Sequence, residues 1–163
     1  MSEQKAKLIA GFPGVGKTFL TKPAVSESAH VSTWTLEDLD STPFSHPDGK
    51  PSPLFPGNYI AFIKEQAKDP NAVLLIGVHD VVRDQLVANK IAFTLVYPER
   101  ELKAEYMERY KARGSPTGLV NKLDKEWDNF ISSVQGQKEC KHVILKEGQF
   151  LSDVIEGIVA DKE

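Results

Sequence analysis

The sequence predicts an α/β fold: a single domain over residues 1–163, built as a three-layer α/β/α sandwich around a five-stranded parallel sheet. Three observations predict it. Short apolar or β-branched runs alternate with segments of helical periodicity along the whole chain, and such alternation packs as a parallel sheet between helices. Two of the runs, 72–78 and 91–97, are almost unbroken in apolar residues, as strands covered on both faces are. No insertion large enough for a second domain interrupts the pattern, and 163 residues that are 40% apolar suffice for one substantial core.

In order, residues 6–10 (Ala-Lys-Leu-Ile-Ala) read as a first buried strand, followed by a glycine-rich turn and a helix that Pro23 shortens or kinks. Residues 31–36 alternate and are β-branched, which predicts the second strand, running into the acidic cluster Glu37, Asp38 and Asp40. Residues 41–57 hold five prolines and two glycines and read as a long functional loop on the acceptor side of a site. A helix from Asn58 to about Lys68 is broken at Asp69-Pro70-Asn71 before the third strand, 72–78. A helix over about 80–89, the fourth strand 91–97 and a charged helix over 99–112 follow. Residues 109–118, with Gly114, Pro116 and Gly118, read as a lid-like break. Apolar residues at 119, 123, 127, 130, 131 and 134 mark one face of the next helix. Residues 142–145 form the last strand and 150–159 a closing helix.

The chemistry concentrates at Gly11-Phe12-Pro13-Gly14-Val15-Gly16-Lys17-Thr18, which matches G-x-x-x-x-G-K-[ST] in full and lies between a predicted strand and a predicted helix. Backbone N–H groups from Gly14 to Thr18 are expected to converge on a phosphate at the positive end of the helix dipole. Lys17 is expected to reach the β- and γ-phosphates of ATP, and the Thr18 hydroxyl to ligate Mg²⁺. The chain thus resembles the P-loop nucleoside triphosphate-binding superfamily.

All four arginines, Arg83, Arg100, Arg109 and Arg113, fall in the stretch from 83 to 113, whereas lysine is spread throughout. Arginine suits the bidentate grip of phosphate oxygens, and Arg109 and Arg113 share one helical face beside the Gly/Pro break. A solvated charged face is the competing reading of that pair. Asp40, the acidic residue nearer the end of the second strand, is the better candidate than Asp38 to order Mg²⁺ or take a proton, with turn capping as its structural alternative. His79, at the end of the third strand, is a candidate substrate contact. Phe44 is a candidate stacking surface in the proline-rich loop.

With the P-loop, the acidic strand end and Arg-x-x-x-Arg before a glycine, the whole chain resembles the small nucleotide and nucleoside kinases of the adenylate-kinase-like group. The segments Asp-Leu-Asp-Ser, Phe-Pro-Gly-Asn-Tyr, His-x-x-x-Arg and Tyr-x-x-Arg-Tyr-x-x-Arg-Gly also resemble small P-loop kinases of bacteriophage genomes. The resemblance implies that Arg109 and Arg113 open a lid closing over ATP, and that Arg83 holds an acceptor phosphate. It further implies that Asp40 sits near Mg²⁺ and the acceptor hydroxyl. An Asp is frequent in that family where His79 stands here, so the match is partial.

The function expected is transfer of the γ-phosphoryl of ATP-Mg²⁺ to a small acceptor, foremost a (deoxy)nucleoside monophosphate. Two alternatives are a nucleotide-binding module or slow NTPase acting through a protein partner, and a kinase acting on modified DNA bases. A net charge of −3 gives no general attraction to nucleic acid or anionic membrane, and no apolar run is long enough to span a bilayer. With Cys140 as the only cysteine, a cysteine-rich zinc site is excluded, and the polar stretch 1–7 lacks a signal core. A cytoplasmic protein is expected, in the host cytoplasm if phage-encoded. No apolar strand ends in the carboxylate of an ordinary Walker B motif unless Asp80 serves, and no Gln or Glu stands out to orient a hydrolytic water, which favours transfer to a small molecule.

Overall fold

The computed structural model describes residues 4–17 and 35–160. Among them, the strands are β1 (Lys7–Gly11), β2 (Thr35–Asp38), β3 (Ala72–Ile76), β4 (Thr94–Pro98) and β5 (Lys141–Leu145). They form one sheet in the order β2-β3-β1-β4-β5, with every neighbouring pair parallel. The helices described are α1 (Thr42–Ser45), α2 (Gly57–Gln66), α3 (Asp80–Ala88), α4 (Lys103–Ala112), α5 (Thr117–Gln135) and α6 (Leu151–Ala160). The molecule is therefore an α/β protein with a five-stranded parallel sheet.

The apolar runs account for the sheet. Every residue of β3 is buried, as are Leu8–Gly11 of β1 and Leu95–Pro98 of β4, so helices cover both faces of these central strands. The edge strands differ. In β2 (Thr-Leu-Glu-Asp) only Leu36 is even partly buried, and in β5 burial deepens only at Leu145. Trp127 of α5, fully buried, meets Phe12 edge-on at 5.5 Å and Tyr106 at 5.8 Å, which ties α5 and α4 to the turn after β1.

Several boundaries differ from the sequence reading. The strand expected over 31–36 is observed as Thr35–Asp38, and residues 31–34 lie outside the described residues, as do Thr18 and the helix interrupted at Pro23. Strand β4 begins at Thr94 rather than Ile91, because Lys90 takes a positive φ of 56° and the chain turns there. The proline-rich loop is partly helical: Ser41 leads into α1 with proline in its first turn, and a 3-10 turn spans Pro47–Gly49. Between α4 and α5 only residues 113–116 remain outside helix, so the expected lid is a tight turn at Gly114 (φ 76°).

Candidate active site

β1 is the central strand. The next strand in the chain, β2, lies two places to one side of it, whereas β4, its other neighbour, leads outward to β5. Such a reversal opens a crevice beyond the carboxyl ends of the strands, and ligands bind there in open parallel sheets. The turn Phe12–Lys17 emerges at that point.

The turn is held by its backbone and by what packs behind it. Phe12 N donates to Val96 O (2.8 Å), Val15 N to Phe12 O (3.2 Å), and Leu151 N to Val15 O (2.7 Å). Gly14 and Gly16 have φ of 91° and 101°, a region closed to most side chains. At Gly14 a Cβ would also lie 2.9 Å from Tyr110 Cε1. Tyr110 Oη donates to Pro13 O (2.8 Å), so two elements distant in sequence press against the back of the turn.

Lys17 folds back across the turn, its Nζ donating to Gly11 O at 2.6 Å. Burial pulls its pKa down to about 8; Asp38 opposes that fall and Arg113 adds to it. Both charges therefore act on Lys17, Asp38 from the end of β2 and Arg113 from the end of α4. Of the two carboxylates weighed in the sequence, the structure couples Asp38 to Lys17. Asp40 instead accepts from Thr42 N (3.0 Å) and serves the turn into α1, the capping alternative. β2 ends at Asp38, which pairs with Leu75 in the ladder, and Asp40, preferred in the sequence, lies beyond it with one carboxylate oxygen engaged in the turn.

The arginines divide into three kinds. Arg109 is a clamp: its guanidinium donates to Gly14 O (2.9 Å), Gln149 O (2.8 Å) and Glu105 Oε2 (2.7 Å), between the rings of Tyr106 and Phe150 at 4.3 and 3.8 Å. It grips the outer side of the glycine turn, so the lid role expected for it is replaced by a supporting one. Arg83 is 4% exposed and ties α3 to α5, donating to Val78 O, Ser133 O, Ser133 Oγ and Gln137 Oε1 at 2.6–3.1 Å. Those bonds occupy most of its donors, which leaves little for the acceptor phosphate it was expected to hold. Arg113 is exposed: its Nε donates to Ser115 Oγ (2.8 Å), its guanidinium lies 5.1 Å from the Tyr110 ring, and its charge acts on Lys17.

His79 stands at the N-cap position of α3 without a side-chain capping bond, its ring edge-on to Phe55 at 6.3 Å. Burial lowers its imidazole pKa; Asp80 counters, while Lys17 and Arg83 reinforce the fall, so the ring is neutral at pH 7. Phe44, expected to stack on a ligand, stacks on Phe62 at 5.0 Å and tilts against Tyr59 at 5.4 Å, which places it in the covering of α2. Tyr59 Oη donates to Leu39 O and holds the chain just past β2.

Lys17, His79 and Arg83 share one cleft of about 580 Å³, which lies between the glycine turn, the start of α3 and one face of α5. The α5 side chains were legible in the sequence only as a core face. Leu123 and Val134, buried in the core, line the cleft together with the exposed Leu119 and the half-buried Phe130 of the same face. Among the described residues, His, Cys, Asp and Glu form no group able to hold a metal by themselves. The donor set beside Lys17, a single carboxylate at Asp38, fits an ion such as Mg²⁺ that takes most of its ligands from phosphates and water.

No protein-family model matches the chain, and no curated protein matches it. Among solved structures it is similar to an uncharacterized protein from Eubacterium ventriosum ATCC 27560, 9% identical, with a TM-score of 0.49 over 98% of this chain and 100% of that one. The class defined by fold and site is thus an α/β protein with a parallel sheet and a glycine turn at the end of its central strand. No helix among the described residues is long and apolar enough to cross a membrane.

Proposed function

We propose that the protein is a P-loop phosphotransferase of the nucleotide-kinase kind, moving the γ-phosphoryl of ATP to a small acceptor, foremost a (deoxy)nucleoside monophosphate. One observation carries this reading: Lys17 lies across a positive-φ glycine turn at the switch point of the sheet and opens directly onto a cleft large enough for a second substrate. The turn from Gly11 to Lys17 would hold the triphosphate through backbone N–H groups and the Lys17 ammonium. Mg²⁺, carried in with the phosphates, would supply charge neutralisation, with Asp38 and Thr18 as the residues to hold it. Arg113 would swing from Ser115 toward the phosphoryl group. An acceptor oxygen would attack the γ-phosphorus as the bond to the β–γ bridging oxygen breaks, leaving ADP. Catalysis of this kind comes from positioning and charge stabilisation.

The test is ADP production from ATP and Mg²⁺, alone and with deoxynucleoside monophosphates, nucleosides and short DNA, for the wild type and for Lys17→Ala. Acceptor-dependent ADP, with labelled phosphate recovered on the acceptor and a loss of at least about 100-fold in Lys17→Ala, is expected. Unaltered turnover in that variant would sink the assignment.

A second reading, a nucleotide-binding module or slow NTPase working through a protein partner, is favoured by the arginine geometry. With Arg83 and Arg109 engaged in holding helices and turn, the phosphoryl group is left with few of the cations that a fast kinase uses. Tight ATP binding without stimulation by any acceptor would select it.

A further inference from the structure

We propose that Tyr110 is a positioning residue for anion binding: by holding the Pro13 carbonyl toward α4, its hydroxyl keeps the Gly14 N–H turned inward for a phosphate oxygen. The proposal rests on reading the glycine turn as a phosphate-binding loop, and it assigns the shape of that loop to a side chain 97 positions away.

Each peptide plane of the turn has its carbonyl taken by a donor from elsewhere in the chain. Pro13 O accepts from Tyr110 Oη (2.8 Å), Gly14 O from Arg109 Nη1 (2.9 Å) and Val15 O from Leu151 N (2.7 Å). Two of these donors stand on α4 and the third opens α6. These peptides are trans, and in a planar trans peptide the N–H points opposite to the C=O. With three successive carbonyls drawn outward, the N–H groups of Gly14, Val15 and Gly16 face away from the donors that hold them. Val15 N returns to Phe12 O (3.2 Å), whereas Gly14 N and Gly16 N donate to no group among the described residues. They are the two donors left for an anion beside the Lys17 ammonium.

Glycine makes such a hold necessary. Gly14, at a φ of 91°, allows the inward amide, but a glycine tolerates the flipped plane nearly as well. Rotation of the 13–14 plane would carry the Gly14 N–H to the wrong side at little backbone cost. The Tyr110 bond opposes that rotation before a ligand arrives, and preorganisation of this kind is realised as affinity. Burial pushes the Tyr110 phenol well above its ordinary pKa, so it remains a donor at neutral pH.

Tyr106, one turn earlier on α4, provides the control. It too is fully buried and packs on the same glycine: a Cβ at Gly14 would lie 2.9 Å from Tyr110 Cε1 and 3.1 Å from Tyr106 Cδ2. Its hydroxyl, however, is buried without a hydrogen-bond partner among the described residues. Tyrosine to phenylalanine is thus the same chemical change at both positions, and only at Tyr110 does it release the turn.

The experiment is calorimetric titration of wild type, Tyr110→Phe and Tyr106→Phe with Mg²⁺ and either inorganic triphosphate or ATP, at a temperature where thermal melts show all three folded. Wild type is expected to bind both probes, and Tyr110→Phe to bind each at least about 5-fold more weakly, the range of one neutral hydrogen bond. The losses should match on the two probes, because the base takes no part. Tyr106→Phe should bind within about 2-fold of wild type and melt no lower, since it removes a buried hydroxyl that bonds to nothing. A merely structural Tyr110 hydroxyl would lower the melting temperature and leave the affinity of the folded chain unaltered. That result, or equal losses in both variants, would overturn the proposal. Binding of neither probe to wild type would overturn it together with the P-loop reading. Tyr110-dependent binding without transfer to any acceptor supports the proposal while defeating the phosphotransferase reading. Transfer at sub-saturating ATP that Tyr110→Phe leaves intact does the reverse.

Discussion

Lys17 is the residue at which stability and function pull apart. Its pKa in the folded chain, about 8, lies below its ordinary 10.5, so burial of the ammonium opposes folding at neutral pH. Below pH 8 that cost is present in full. Between about 8 and 10.5 the unfolded chain binds more protons than the folded one, and stability rises with pH. Lys17→Met should therefore be more stable than wild type by about 1–2 kcal/mol at pH 7, with the gap closing above pH 8. Urea denaturation at pH 7 and pH 9.5 measures this, and a variant less stable at pH 7 would contradict it. The ordinary site for such a stored cost is one that an anion relieves on binding. The carboxylates make the second contrast at this scale. On the phosphotransferase reading, Asp38→Asn should lower turnover at least about 10-fold, because it withdraws the charge that acts on Lys17 and that would help hold Mg²⁺. Asp40→Asn keeps the Asx turn to Thr42 N and should cost less than about 2-fold. Equal losses in the two variants would return the role to Asp40.

At the scale of elements, α4 is a buttress as well as a carrier of charge. Tyr110 fills the space behind Gly14, and Arg109 joins the turn to the segment between β5 and α6. Arg109→Ala leaves the partly buried Glu105 with only the Gly148 N–H and removes two cation–π contacts. It should destabilise the chain by about 2–4 kcal/mol. Arg113→Ala, at an exposed site, should change stability by less than about 0.5 kcal/mol yet lower turnover on the phosphotransferase reading. Paired melts and kinetics on the two variants separate support from chemistry, and a stable Arg109→Ala with unaltered melting would refute the clamp. The spacing Arg-x-x-x-Arg is visible in the sequence. That Arg109 is clamped between Tyr106 and Phe150 while Arg113 lies exposed over the outer side of Tyr110 is decided by where α4 packs.

For the whole molecule, the decisive arrangement is the order β2-β3-β1-β4-β5, which brings the ends of β1, β2 and β3 and the start of α3 to one edge of the sheet. Residues far apart in sequence, Lys17, Asp38, His79 and Arg113, then act on one another there. Much of this was legible beforehand. Alternating apolar runs and helical periodicities specify an α/β chain because burial on two faces and burial on one stripe leave different periods. Gly14 and Gly16 are legible because positive φ narrows the choice of residue, and Lys17 because its spacing from them is short-range. The remainder was not, since it depends on contacts across the chain. Asp38 and Asp40 share one strand face by alternation, and only pairing with β3 ends the strand between them. Arg83 carries the same signal whether it meets a phosphate or Ser133, because a guanidinium bonds either, and Phe44 the same whether it covers a base or Phe62. The face of α5 reads as core along its whole length, yet the same face, from Leu119 to Val134, also forms one wall of a cleft. Local periodicity and backbone conformation were thus determined by the sequence itself, whereas the partner of each charged or aromatic side chain was decided only by tertiary packing, since hydrogen bonding and burial depend on what arrives from elsewhere in the chain.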